Sequence, residues 1–95
     1  MDHLKTHNEE EVTGTIASLR LDSIIALAFK TSRSSMISYI ESGKVFVNGK
    51  LIVSNGYTIK DNDIISVRGK GKFRFGSITN KTKKGRIGVI LYRYK

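Results

Sequence analysis

The stretch Ser32-Arg33-Ser34-Ser35-Met36-Ile37-Ser38-Tyr39-Ile40-Glu41-Ser42-Gly43-Lys44-Val45-Phe46-Val47-Asn48-Gly49 contains the change of period on which the fold turns. Up to Ser42 the apolar residues Met36, Ile37 and Ile40 recur at helical spacing, and Ser32 stands where an N-cap belongs. Gly43 suits the left-handed residue that ends a helix. Beyond it the period is two. Val45 and Val47 alternate with Lys44 and Phe46, Asn48-Gly49 is a two-residue hairpin turn, and Leu51 and Val53 alternate on the return. A helix over residues 33–42 therefore runs directly into a sheet.

Working outward, Leu21, Ile24, Ile25 and Ala28 form one apolar face and predict a first helix over residues 20–29, with Asp22 in its first turn complementing the dipole. Lys30-Thr31 is too short a break for anything but a steep two-helix hairpin. Downstream, Asn55-Gly56 and Asp61-Asn62 mark turns, residues 64–68 and 72–75 read as strands, and residues 86–94 as a last β-rich stretch. The expected fold is α+β: the helical hairpin packed on a small, mostly antiparallel sheet, with a β-rich basic C-terminal extension. Residues 1–15 are polar, acidic and aperiodic and read as a flexible leader, leaving residues 16–95 as the domain.

The net charge is +9 over 95 residues. Its distribution is the informative part: residues 64–95 carry ten basic side chains and no acid, while residues 1–11 carry four acids and one Lys. A one-sign field of this density attracts polyanions. The basic segment lacks the amphipathic helix of a membrane binder, so nucleic acid is the expected partner and no membrane is. The chain has no Cys, which excludes disulfides, cysteine zinc sites and thiol catalysis. With a polar N-terminus and no signal-like segment, a cytoplasmic location is expected.

Candidate contacts fall into three groups. Ser32, Arg33 and Ser34 place a guanidinium and two hydroxyls at a helix start, where unpaired N–H groups favour phosphate, and Arg20 begins the first helix. Lys44, Asn48 and Lys50 lie on or beside the first hairpin. Arg68, Lys70 and Lys72 alternate with glycines, and Lys81, Lys83, Lys84 and Arg86 form a basic loop. Phe73 and Phe75 share one strand face, and a domain of this size needs them in its core more than as base-stacking platforms. His3 and His7 lack a third ligand, Asp61 and Asp63 suit turn capping, and no nucleophile has a base beside it. No enzyme, cofactor, metal or small-molecule substrate is expected.

Arg20-Leu21-Asp22, Ser32-Arg33-Ser34, Gly43-Lys44-Val45-Phe46-Val47-Asn48-Gly49 and Asp63-Ile64-Ile65-Ser66-Val67, in that order, resemble the RNA-binding domain named after small-subunit ribosomal protein S-four. The string from Val67 through Arg68-Gly69-Lys70-Gly71-Lys72-Phe73, followed by Lys81-Thr82-Lys83-Lys84-Gly85-Arg86, is similar to the C-terminal domain of the bacterial YlmH family. Asn62, where that family commonly has Gly, and Gly49, where close relatives often carry a bulkier residue, are departures. The resemblance implies that the helical hairpin faces RNA, with Arg20, Ser32, Arg33, Lys44 and Asn48 at the matching positions and Asp22 supporting the first turn. It implies structured rRNA or tRNA as partner, on the large ribosomal subunit, in ribosome quality control, and a longer parent protein of which this chain is the end piece. A monomer is expected. Two other readings remain: a protein-interaction module with a basic tail, and a targeting domain of an RNA-modifying enzyme. A DNA-reading helix-turn-helix fits poorly, because Gly43 leads into a sheet.

Overall fold

In the computed structural model, which describes residues 9–81 and 85–94, the helix-to-sheet switch falls at Gly43. Helix α2 (Arg33–Glu41) ends with the Gly43 N–H donating to the Ile40 carbonyl at 3.2 Å and the Lys44 N–H to that of Tyr39 at 3.0 Å. With Gly43 at φ 80°, this is a Schellman closure, which any Cβ would strain. Strand β2 (Val45–Val47) begins two residues later. Helix α1 (Leu21–Phe29) precedes α2 and ends in the same way, with Lys30, at φ 55°, in the left-handed position that Gly43 fills after α2. An L residue there is strained, because its Cβ crowds the neighbouring carbonyl.

The remaining elements are β1 (Glu9–Ile16), β3 (Lys50–Leu51), β4 (Ile64–Val67), β5 (Gly71–Lys81) and β6 (Ile87–Tyr94). All six strands form one antiparallel sheet in the order β1-β6-β5-β4-β2-β3. The fold is α+β. Leu21, Ile24, Ile25 and Ala28 of α1 and Met36 and Ile40 of α2 are buried with Val45, Val47, Ile65, Val67, Phe73, Phe75, Val89 and Leu91 of the sheet. Phe73 and Phe75 thus fill the core, and Phe29 meets Phe73 edge to face at 5.6 Å. Ile37, assigned by spacing to the buried face of α2, is only partly buried.

One expectation is corrected. The flexible acidic leader expected over residues 1–15 is strand from Glu9 onward; residues 1–8 lie outside the described residues. Val12 and Ile16 are buried, and the position between them on the same face is Gly14, above which the Leu27 side chain packs. A glycine in the middle of the apolar alternation conceals its period. Glu10 sits opposite Arg93 in register, with their side chains 3.7 Å apart. The acid-rich segment pairs with the acid-free one, and β6 thereby becomes an interior strand rather than an appendage.

The turn between β2 and β3 has Asn48 at φ 53° and Gly49 at φ 83°, the doubly positive geometry of a type I′ hairpin. Asn48 also ties β2 to the start of β4. Its amide donates to Asp63 Oδ1 at 3.0 Å, and its carbonyl oxygen accepts from the Ile64 N–H at 2.9 Å. Asp63 Oδ2 accepts from the Lys60 N–H at 2.9 Å, which closes the turn that Asn62 enters at φ 70°. Asn48→Gly should lower stability by about 1–2 kcal/mol, the loss of two hydrogen bonds at an exposed site. Asn48→Ala should lower it by roughly 1 kcal/mol more, because alanine resists positive φ. Urea unfolding of the two variants against the parent chain measures both steps.

Candidate nucleic-acid interface

Spacing placed Asp22 in the first turn of α1, and the structure shows what else it does. Its side chain has no solvent exposure. A buried carboxylate requires charged partners, and it has two. Arg20 grips it with two bonds, Nε to Oδ1 at 3.1 Å and Nη2 to Oδ2 at 3.0 Å, and Arg33 reaches across from α2 with Nη2 at 3.3 Å from Oδ2. The two helix starts, separated by 13 positions in sequence, therefore share one anion. Both arginines remain about half exposed (side chains 44% and 55%), so each keeps N–H groups facing solvent. Burial by itself would push the Asp22 pKa up. The Arg20 hydrogen bond, the charges of Arg33 and Arg20 and the Arg33 hydrogen bond outweigh that and hold it below the ordinary value. The same hydrogen bond and charge raise the pKa of Arg20.

The two starts differ in their backbones. In α2 the Ser32 side chain caps the helix by accepting from the Ser35 N–H at 3.2 Å, and the surrounding residues Arg33, Ser34 and Ser35 are exposed. The start of α1 is closed. Its Leu21 N–H donates to the Tyr57 carbonyl at 2.9 Å and its Asp22 N–H to the Asn55 carbonyl at 3.2 Å. Arg20 contributes its side chain to the surface, lying against Gly56, where an added Cβ would stand 3.5 Å from its Nη1.

A cavity of about 370 Å³ opens beside Arg33. Lys30, Arg33 and Arg86 line it with the hydroxyl-bearing Thr15, Ser23 and Thr31. Arg86 is fastened there, donating from Nε to Thr15 Oγ1 at 3.3 Å and from Nη2 to the Thr15 carbonyl at 3.1 Å. The basic tail thus returns to the helix starts.

The other candidates separate. Lys44 and Lys70 both stand over the Tyr39 ring, at 5.4 and 5.8 Å, and the Arg68 N–H donates to the Lys44 carbonyl at 2.9 Å, so the start of β2 and the 68–70 turn form a second basic cluster beside α2. Lys50 is exposed on β3. Lys72 stands 5.6 Å from the Tyr94 ring, away from both clusters. Asn48 has its amide engaged in the turn described above, so the hairpin accounts for it without RNA. Lys83, Lys84 and the side chain of Lys81 lie outside the described residues, as do His3 and His7. Sequence reasoning missed the pinning role of Asp22 and the place of Lys30. The signal for the first was an acid three residues before Ile25, on the apolar face of its own helix. Among the described residues no three His, Cys, Asp or Glu side chains gather as a metal site, and no helix is long and apolar enough to cross a membrane.

The pinned arginines belong to the segment that a family model described as the S4 domain matches, residues 19–65. The chain belongs to the S4 domain family. Two curated proteins extend the likeness beyond that S4 segment. The "Ribosome-associated protein quality control protein P2" of Bacillus subtilis (strain 168) is 35% identical over 81 residues, 85% of this chain and 32% of that protein. The "Small ribosomal subunit protein uS4" of Pelagibacter ubique (strain HTCC1062) is 39% identical over 70 residues, 73% of this chain and 34% of that protein. The chain spans about a third of the length of these S4-domain relatives.

Asp22→Asn should destabilise the S4 domain by about 1–3 kcal/mol at neutral pH, since it removes a buried charge that satisfies two guanidinium groups. Because the folded pKa of Asp22 lies below its unfolded value, its contribution is full above the ordinary carboxylate range and fades as pH falls through the lowered folded value. Thermal melts of parent and variant should therefore differ at pH 7 and converge in acid; a difference independent of pH would refute the account.

Proposed function

We propose that this domain is a non-catalytic module that binds structured ribosomal RNA or tRNA through phosphates and helical shape. The observation that carries the reading is the pair of half-exposed arginines held on one buried carboxylate at the helical hairpin. A guanidinium fixed by a partner behind it loses less rotamer freedom on meeting a phosphate, and its fork matches phosphate geometry. Lys30 and Arg86 across the adjoining cavity, and Lys44 and Lys70 beside α2, extend the positive surface in two directions. A-form RNA hides its base edges in a narrow groove, so a rigid wedge with fixed cations reads shape and backbone rather than sequence.

The setting is the ribosome in the cytoplasm, in quality control on the large subunit, with the domain acting as a monomer. The names of the relatives support the setting, one being ribosome-associated and concerned with protein quality control and the other a ribosomal protein. Likeness over 85% of this chain favours the quality-control role over that of a small-subunit component. Co-sedimentation with separated ribosomal subunits distinguishes the two.

With about five phosphates neutralised, affinity for a structured RNA should fall with salt at a log–log slope of roughly −3 to −4. A slope near zero would remove the electrostatic account. Arg33→Ala should weaken binding by about 1–2 kcal/mol irrespective of RNA sequence, as a charged phosphate contact does. Lys30→Gly should raise stability by about 0.5–1 kcal/mol through relief of the left-handed conformation, while weakening RNA binding. Loss of binding together with loss of stability would assign Lys30 to the fold alone.

A further inference from the structure

The sheet has two faces, and the helices cover one. The shortest extent of the molecule is 20 Å, the thickness of one sheet and one helix layer. Residues that alternate with the buried Val45, Val47, Phe73, Phe75 and Leu91 lie on the other face, and no described element covers them. Across it stand Phe46 on β2 and Tyr92 and Tyr94 on β6, all partly exposed, with Ile64 and Ser66 of β4 and Lys72 and Arg74 of β5 between them. Arg74 and Tyr92 are partners in register, and the guanidinium lies 4.5 Å from the ring centroid; Lys72 stands 5.6 Å from that of Tyr94. Arg74 is steadied from its other side by a bond from Nη1 to Asn62 Oδ1 at 3.2 Å. Gly76 makes room for the Tyr92 ring, because a Cβ there would come within 2.7 Å of its Cε2. The helical site uses none of the three rings and neither of these two cations.

We infer that this open face is a second RNA surface, one that takes unpaired nucleotides by stacking bases on Tyr92, Tyr94 and the plane of Arg74, with Lys72 and Arg74 neutralising the phosphates. The inference rests on the reading of the protein as an RNA binder and adds to it a different class of RNA, single-stranded, on the opposite face. Aromatic rings interleaved with cations suit a chain of bases and phosphates: every base has a face to stack, and the guanidinium plane stacks as a ring does. The face also carries aliphatic groups, Ile64 in register with Arg74, Ile90 beside Tyr92 and the exposed Leu51 in register with Phe46, but the ring-and-cation pairs set among them suit bases and phosphates rather than an apolar partner. Glu9 and Glu11, in register with Tyr94 and Tyr92 on β1, make that edge acidic. They confine a phosphate chain to the strip from β2 to β6.

The test uses the full chain and two probes, an unstructured oligoadenylate of about eight nucleotides and a blunt RNA hairpin. Fluorescence anisotropy measures both, and quenching of tyrosine emission by the oligomer reports stacking. The double variant Tyr92→Leu/Tyr94→Leu should weaken oligomer binding about tenfold or more, as loss of stacked bases does, and leave hairpin binding within about twofold. Tyr92→Phe/Tyr94→Phe should retain oligomer binding, because the rings remain. Arg33→Ala should show the reverse selectivity. If the leucine variant is unfolded by circular dichroism, Lys72→Gln/Arg74→Gln replaces it, with the same loss expected. Hairpin binding without oligomer binding, or oligomer binding indifferent to either double variant, overturns the sheet surface while leaving the helical site standing. Binding of neither RNA overturns both.

Discussion

The Asp22 carboxylate has no contact with solvent, and so its charge must be answered within the protein. Arg20 supplies one answer from the position just before α1, and Arg33 the other from the first turn of α2. The bond from Arg33 ties the first turn of α2 to the first turn of α1. It also decides what the outer edges of both guanidinium groups present: two cations at a fixed separation, backed by one buried anion. The charge of the pair exceeds that of the carboxylate, so a net positive surface remains for an external phosphate. The two arginines that tie the helix starts together through Asp22 are thus the ones proposed to meet RNA.

Charge partition organises the sheet in a comparable way. The ten basic residues of the C-terminal third would repel one another if gathered on one surface. The sheet disperses those that the structure describes. Arg93 turns toward the helices, donating to the Ala28 carbonyl at 3.3 Å and pairing with Glu10 of β1. Arg86 returns to the cavity beside Arg33, Lys70 joins Lys44 over Tyr39, and Lys72 and Arg74 settle over tyrosines of the open face. Cation–π contact with a ring is a modest attraction, of order 0.5–1 kcal/mol at exposed sites. Repeated across a sheet, it gives each cation a preferred place without removing it from solvent.

Much of this was legible from residues alone. The small size of the domain called for Phe73 and Phe75 in the core, and the change of period at Gly43, the Asn48-Gly49 hairpin and the apolar face of α1 follow from spacing and from the few residues that accept positive φ. These are local properties of the chain, set by sterics within a few residues. Strand β1 escaped because Gly14 interrupts its apolar alternation, and its partner β6 lies more than 70 positions away.

The sequence by itself determined the elements, the polarity of charge along the chain and the residue types able to hold phosphate. Tertiary structure decided their roles. Only the fold could bring Arg33 to the carboxylate of Asp22, close the amides of α1 with the 55–57 loop, and send Arg86 and Lys72 to different faces. The physical reason is that period and φ preference are short-range, whereas the partner a charged side chain meets depends on which distant segments pack beside it.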